Sequence, residues 1–185
     1  MKLMRQVLIT GVLFIALDLI FTVLALLTAP ASANIGTARA MSTVPFHELE
    51  LGVAGLVLGV VAVWIYGRGG AAPALLLPSL VILLDLDHTP ALLGLAQPIR
   101  PAHSLLFLAL DVTITTIILR RVDFGLLVVS AFSGHIGVDT GVIPPYSPVS
   151  FQYVGIAPYH ALMLAISVLA AFSAGYFMRR KGGPI

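Results

Sequence analysis

No cysteine occurs among the 185 residues, which removes disulfides, thiolate metal sites and cysteine nucleophiles together. Any metal held by this chain must use His, Asp or Glu. Charge is also scarce: 10% of residues are charged and 59% are apolar, whereas a soluble domain carries about 25% charged residues. Too few charges remain to cover a water-facing surface, so the chain reads as a membrane protein. The formal net charge is only +2, with the basic residues scattered at segment ends, which argues against a nucleic-acid partner. The apolar runs are continuous and lack the alternation of barrel strands. This excludes an outer-membrane-type barrel and leaves helices to satisfy the backbone in lipid.

The runs Val7–Thr28, Phe46–Tyr66, Ala71–Leu93, Ser104–Leu119, Phe124–Ile143 and Pro158–Met178 predict an all-α integral membrane bundle of about six transmembrane helices. Spans of about 20 residues leave short loops and no room for a soluble domain, so residues 1–185 are expected to form a single transmembrane domain. The first run follows Lys2 and Arg5 and ends in Ala-Pro-Ala-Ser-Ala at 29–33, which is also the grammar of a cleaved signal peptide. It is longer than the roughly 7–15 residues of a signal core, so residues 1–33 are expected to stay as a first helix or signal-anchor. With the N-terminus inside, Lys2, Arg5, Arg68, Arg120, Arg121, Arg179, Arg180 and Lys181 are cytoplasmic, and only Arg39 and Arg100 are outside. The positive-inside rule therefore predicts a multi-pass protein of the cell (inner or plasma) membrane with both termini cytoplasmic.

On that topology the five histidines converge. His47 opens the second span from outside, His88 lies toward the outer end of the third, and His103 opens the fourth. His135 lies about midway along the fifth, and His160 opens the sixth from outside. Glu48 and Glu50 flank His47, Asp85 and Asp87 precede His88, and Asp139 follows His135 by four residues. A His–Asp pair at i and i+4 shares one face of a helix and can grip one ion or bridge two. Imidazole and carboxylate together suit zinc or manganese. Asp85 and His88 share a face if that stretch is helical, although Pro90 disfavours helical geometry at Thr89 and opens the segment there. Ionisable residues inside a membrane are costly and mark a site or a pair. A single histidine at a helix end is ordinarily just solvated; the convergence on one depth points to a metal site. Asp18 and Asp111 lie inside spans away from this cluster and read as structural, Glu50 as a possible interfacial anchor, and Asp123 beside Arg120 and Arg121 as an inner surface residue.

In chain order the motifs are Phe-His-Glu (46–48), Leu-Asp-Leu-Asp-His (84–88), Ile-Arg-Pro-Ala-His-Ser-Leu (99–105) and Gly-His-Ile-Gly-Val-Asp-Thr (134–140). A Gly/Pro-rich loop, Gly-Val-Ile-Pro-Pro-Tyr-Ser-Pro (141–148), follows. This order resembles the YdjM-like family of predicted membrane-bound metal-dependent hydrolases over roughly residues 46–150. That family's pattern is an early His, an Asp-x-Asp-His, a His-Arg-Gly-x-Thr-His-Ser and a His-x-x-x-Asp. The resemblance implies that His47, Asp85, Asp87, His88, His103, His135 and Asp139 are the metal-site candidates. Ile99 stands where the family usually has the first His of its third motif, and Pro101 and Ala102 replace its Gly and Thr region, while Arg100, His103 and Ser104 remain. His160 lies outside the shared pattern and is added to the candidate ligands for its position.

The preferred expectation is a metal-dependent hydrolase at the outer leaflet, acting on a phosphoester of a lipid or lipid-linked substrate. The cofactor is one or two divalent ions, zinc or else manganese. A bound ion can lower the pKa of its water from 15.7 to about 7, and a second about 3.5–4 Å away would stabilise the leaving oxygen. Glu48 is the candidate general base, and Arg100 can hold a phosphate through its bidentate fork. Two other classes remain open: a transporter or channel for protons or divalent cations, which would carry ionisable groups along a path through the membrane, and a membrane protein whose metal only staples helices together. Oligomeric state has no signature in the sequence.

Overall fold

The computed structural model describes residues 2–28, 84, 86–87, 100–139, 143–150, 152, 154 and 157–180. The described part is all-helical, with α1 at Lys2–Thr28, α2 at Leu105–Leu119, α3 at Val122–Val138 and α4 at Ala157–Arg180. A short 3-10 turn, Pro101–His103, precedes α2. These are the first, fourth, fifth and sixth apolar runs. The second and third runs lie outside the described residues except at Leu84, Leu86 and Asp87, as do His47, Glu48, Asp85 and His88.

Two of the helices contain segments long and apolar enough to cross a membrane, Leu8–Thr28 and Ala157–Met178. Both present exposed apolar side chains: Val12, Leu27, Leu169 and Phe172 are all more than half exposed. Apolar surface of that extent is disfavoured in water and suits a lipid environment, which points to membrane association. α1 is also joined to α2. Phe14 and Phe21 meet the fully buried Phe107 edge-on, with ring centroids 5.2 and 5.4 Å apart. Gln6 Nε2 donates to the Ile118 carbonyl at 2.8 Å.

These contacts fix direction. Gln6 at the start of α1 meets the end of α2, so the two run antiparallel. Arg120, in the left-handed conformation at φ 53°, ends α2, and Arg121 leads straight into α3. Close approach across this hairpin leaves no room for a side chain at Gly125, where a Cβ would fall 2.3 Å from Thr116 Oγ1. α3 and α4 are antiparallel too. Ser167 Oγ donates to the Ser130 carbonyl at 2.6 Å, a polar tie of the kind that joins helices where no hydrophobic force between them is available. Nearer the other end of the pair, a Cβ at Gly137 would fall 2.5 Å from Leu164 Cγ. Lys2, Arg5, Arg120, Arg121 and Arg180 therefore stand at one end of the described helices, and His103 and Asp139 at the other.

Two expectations are corrected. α3 ends at Val138, not at Ile143; Asp139 is extended at φ −64° and ψ 131°. Further on, Ile143 pairs with Val154 in an antiparallel bridge, just ahead of two prolines that could not donate to a helix. Asp123 is not a surface residue. It is fully buried, because Arg121 wraps over it with Nε bonds of 2.8 and 3.0 Å to its two oxygens. That hydrogen-bonded carboxylate raises the Arg121 pKa above its ordinary value, with burial opposing and the Asp123 charge adding to the rise.

Candidate metal centre

Two elements deliver the site, the 3-10 turn and the end of α3. Arg100 caps the 3-10 turn in the left-handed region, at φ 46° and ψ 50°, a conformation that a residue with a Cβ adopts only at some cost. The turn carries His103, and its next residue, Ser104, caps α2 by accepting the Phe107 amide on Oγ at 3.1 Å. That bond satisfies one of the donors every helix start leaves over. α3 carries His135 in its last turn, and Asp139 is its C-cap. The Asp139 amide still donates to the His135 carbonyl at 3.0 Å, so the expected i, i+4 relation survives at the very end of the helix. The loop beyond is tied back, since the Leu105 amide donates to the Pro145 carbonyl at 2.9 Å.

His103, His135 and Asp139 come together, with one ligand atom of each lying within 4.8 Å of the others and all three residues buried. The Nε2 atoms of His103 and His135 are 3.1 Å apart, with the rings inclined at 59°. Asp139 Oδ2 is 4.0 Å from His103 Nε2. Two imidazole nitrogens on one tetrahedral zinc stand about 3.4 Å apart, given Zn–N bonds of about 2.0–2.1 Å. The group fits such an ion with adjustments of a few tenths of an ångström between the rings. Nitrogen and carboxylate oxygen in a buried set suit a divalent transition metal, and the donors do not by themselves choose zinc over manganese.

The remaining candidates take other places. Arg100 Nη2 donates to Asp139 Oδ2, and both side chains are buried; the guanidinium thus stands against the metal group. Asp87 reaches the opposite edge of His103, with Oδ2 3.1 Å from Nδ1 and 2.9 Å from the Ala102 amide. His160 is not in the group: its Nδ1 donates to the Ile136 carbonyl at 2.9 Å, which fixes its ring against α3 beside His135. His47, Glu48, Asp85 and His88 fall outside the described residues.

All three clustered residues belong to the set expected from sequence. What sequence did not carry is how Arg100 and Asp87 join this group. Arg100 to Asp139 and Asp87 to His103 join residues 39 and 16 positions apart, and the only local signal was Pro101, which favours a turn start immediately after Arg100. Ala102 and Ile136, the chain neighbours of His103 and His135, belong to a buried apolar cluster with Leu84, Phe107, Phe132 and Ile143, and apolar surroundings strengthen polar contacts within them.

No protein-family model, curated protein or solved structure matches the chain. The chemistry of the site is the ground for any function assigned to it.

Proposed function

We propose that this protein is a multi-pass membrane metal-dependent hydrolase of about six spans, acting at the outer leaflet on a phosphoester of a lipid or lipid-linked substrate. The observation that carries the reading is the buried His103–His135–Asp139 group with the Arg100 guanidinium bonded to one of its members. Its position opposite the basic helix ends supports an extracytoplasmic site with both termini cytoplasmic. The motif order shared with the YdjM-like family supports the same class, as resemblance only.

His103, His135 and Asp139 would hold a divalent cation, which supplies an activated water and a Lewis acid. Arg100 offers a planar fork to a phosphate oxygen, and Glu48 remains the proposed proton acceptor. Tyr146 and Val149 on the loop after α3 are exposed, at 59% and 81%, and suit an interfacial depth where an amphiphile's headgroup would enter. Remote tail contacts can then contribute positioning energy to the reacting end.

Elemental analysis of protein purified without chelator tests the first half of this reading, and stoichiometric zinc or manganese is expected. Hydrolysis tests the second. An amphiphilic phosphoester in vesicles should turn over faster than its short-chain soluble analogue, and Arg100→Ala should weaken an anionic substrate more than a neutral one. Metal without turnover on either substrate would favour the structural reading, for which the near-complete burial of all three donors speaks. Metal or proton flux into sealed vesicles would favour a transporter, for which the buried mid-helix Asp18 and Asp111 speak.

A further inference from the structure

Two carboxylates address His103 from opposite edges of its ring. Asp139 lies on the Nε2 side, 4.0 Å away, and Asp87 on the Nδ1 side, 3.1 Å away. Both Asp87 and His103 have side chains fully excluded from solvent. The Asp87 oxygen at Nδ1 also accepts the Ala102 amide, so it serves as an acceptor to the turn that carries the histidine. A carboxylate can only accept, which places the imidazole proton on Nδ1. Nε2 then presents its lone pair toward His135 and Asp139. A histidine that ligates through Nε2 needs this tautomer, and a carboxylate on the far nitrogen both fixes the ring and makes Nε2 more basic.

We propose that Asp87 is a positioning residue for the metal centre and not one of its ligands: it holds His103 as the Nδ1–H tautomer, with Nε2 turned to a divalent cation shared with His135 and Asp139. The proposal rests on the metal-centre reading and changes the role that the Leu-Asp-Leu-Asp-His motif suggested for this residue. One oxygen acts twice, on the ring and on the Ala102 amide, so the ring's rotation and the height of the turn are set together. Deep burial keeps both bonds strong.

The test uses the full chain in detergent with Co(II) and Zn(II) as probes. Asp87→Asn retains an oxygen that can accept from Nδ1 and from Ala102 but removes the charge. It should raise the metal dissociation constant about 10–100-fold, while the ligand-field spectrum of bound Co(II) keeps its shape because no ligand is lost. Asp139→Ala, which does remove a ligand, should change that shape. Nitrogen-15 spectra of the zinc-loaded wild type should place the His103 proton on Nδ1 and the metal on Nε2. Unchanged affinity in Asp87→Asn, with or without a lower unfolding temperature of the metal-free protein, would overturn the positioning role alone. So would an Asp87→Asn spectrum altered in the way that Asp139→Ala alters it, since Asp87 would then be a ligand. Absence of any Co(II) or Zn(II) binding by the wild type would overturn the metal centre itself and this proposal with it.

Discussion

An arginine and an aspartate pair at each end of α3: Arg121 with Asp123 where the helix begins, and Arg100 with Asp139 where it ends. The first pair is local, two residues apart, and the Arg121 side chain keeps 23% of its surface in contact with the surroundings. Its guanidinium also lies 4.9 Å from the Phe124 ring centre, a cation–π contact. The second pair spans 39 residues and is nearly sealed, with side-chain exposures of 8% and 2%. The local pair closes a helix start at the basic end of the bundle. The distant pair brings a cation to a carboxylate that two histidines also approach. Identical chemistry thus serves as a local ion pair at one end and as part of a candidate site at the other, and what separates the two cases is chain separation and burial.

The largest effect should come from the buried pair. Asp139→Ala breaks a nearly sealed ion pair, and removing one partner of such a pair typically costs about 3–5 kcal/mol. It should also remove bound metal and with it the stabilisation that a ligand of the folded state provides. Thermal unfolding in detergent, with metal content measured in parallel, checks both. A variant with full metal and wild-type stability would erase the distinction between the two ends.

A smaller effect should follow from crowding near the same end of α3. Gly137→Ala places a methyl 2.5 Å from Leu164 Cγ and 3.0 Å from the Leu164 amide nitrogen. The helices must separate locally, at about 1–3 kcal/mol. Combining it with Leu164→Ala should recover part of the loss, because the side-chain clash is relieved while the backbone contact remains. Full additivity of the two losses would show that α3 and α4 do not meet at this point.

The smallest effect belongs to the local pair. Arg121→Ala should cost only about 1 kcal/mol although Asp123 is buried, because deleting the side chain that covers the carboxylate opens it to solvent, where an unpaired charge is tolerated, and it should leave metal content unchanged. A metal loss in Arg121→Ala would mean that the two ends of α3 are coupled.

The contrast between the pairs also explains what could be read from the sequence. The described helices follow the apolar runs closely; α2 begins one residue after the expected Ser104 and ends at Leu119 as expected. Continuous apolarity at membrane length leaves the backbone few other solutions. The His135–Asp139 step was legible because helical periodicity alone puts the two on one face. The Arg121–Asp123 contact was legible as a neighbourhood but not as a burial, since nothing in the order of residues says that an arginine will lie across its neighbour. The Arg100–Asp139 and Asp87–His103 links depend on where two turns and a helix end meet in space. Sequence spacing has no term for that, and so Asp87 could be recognised as part of the site without its role being known.

The left-handed backbone at Arg100 sets two demands on one position against each other. The main chain there favours glycine, for which such a φ is unstrained, whereas the side chain is needed to meet Asp139. Arg100→Gly and Arg100→Ala lose the same guanidinium, yet only the glycine relaxes the turn, so it should be the less destabilised of the two by up to about 1 kcal/mol. Local and global preferences agree along most of a well-folded chain and conflict where a function holds them apart. Position 100 is such a point of frustration, and the turn bearing His103 is anchored on it.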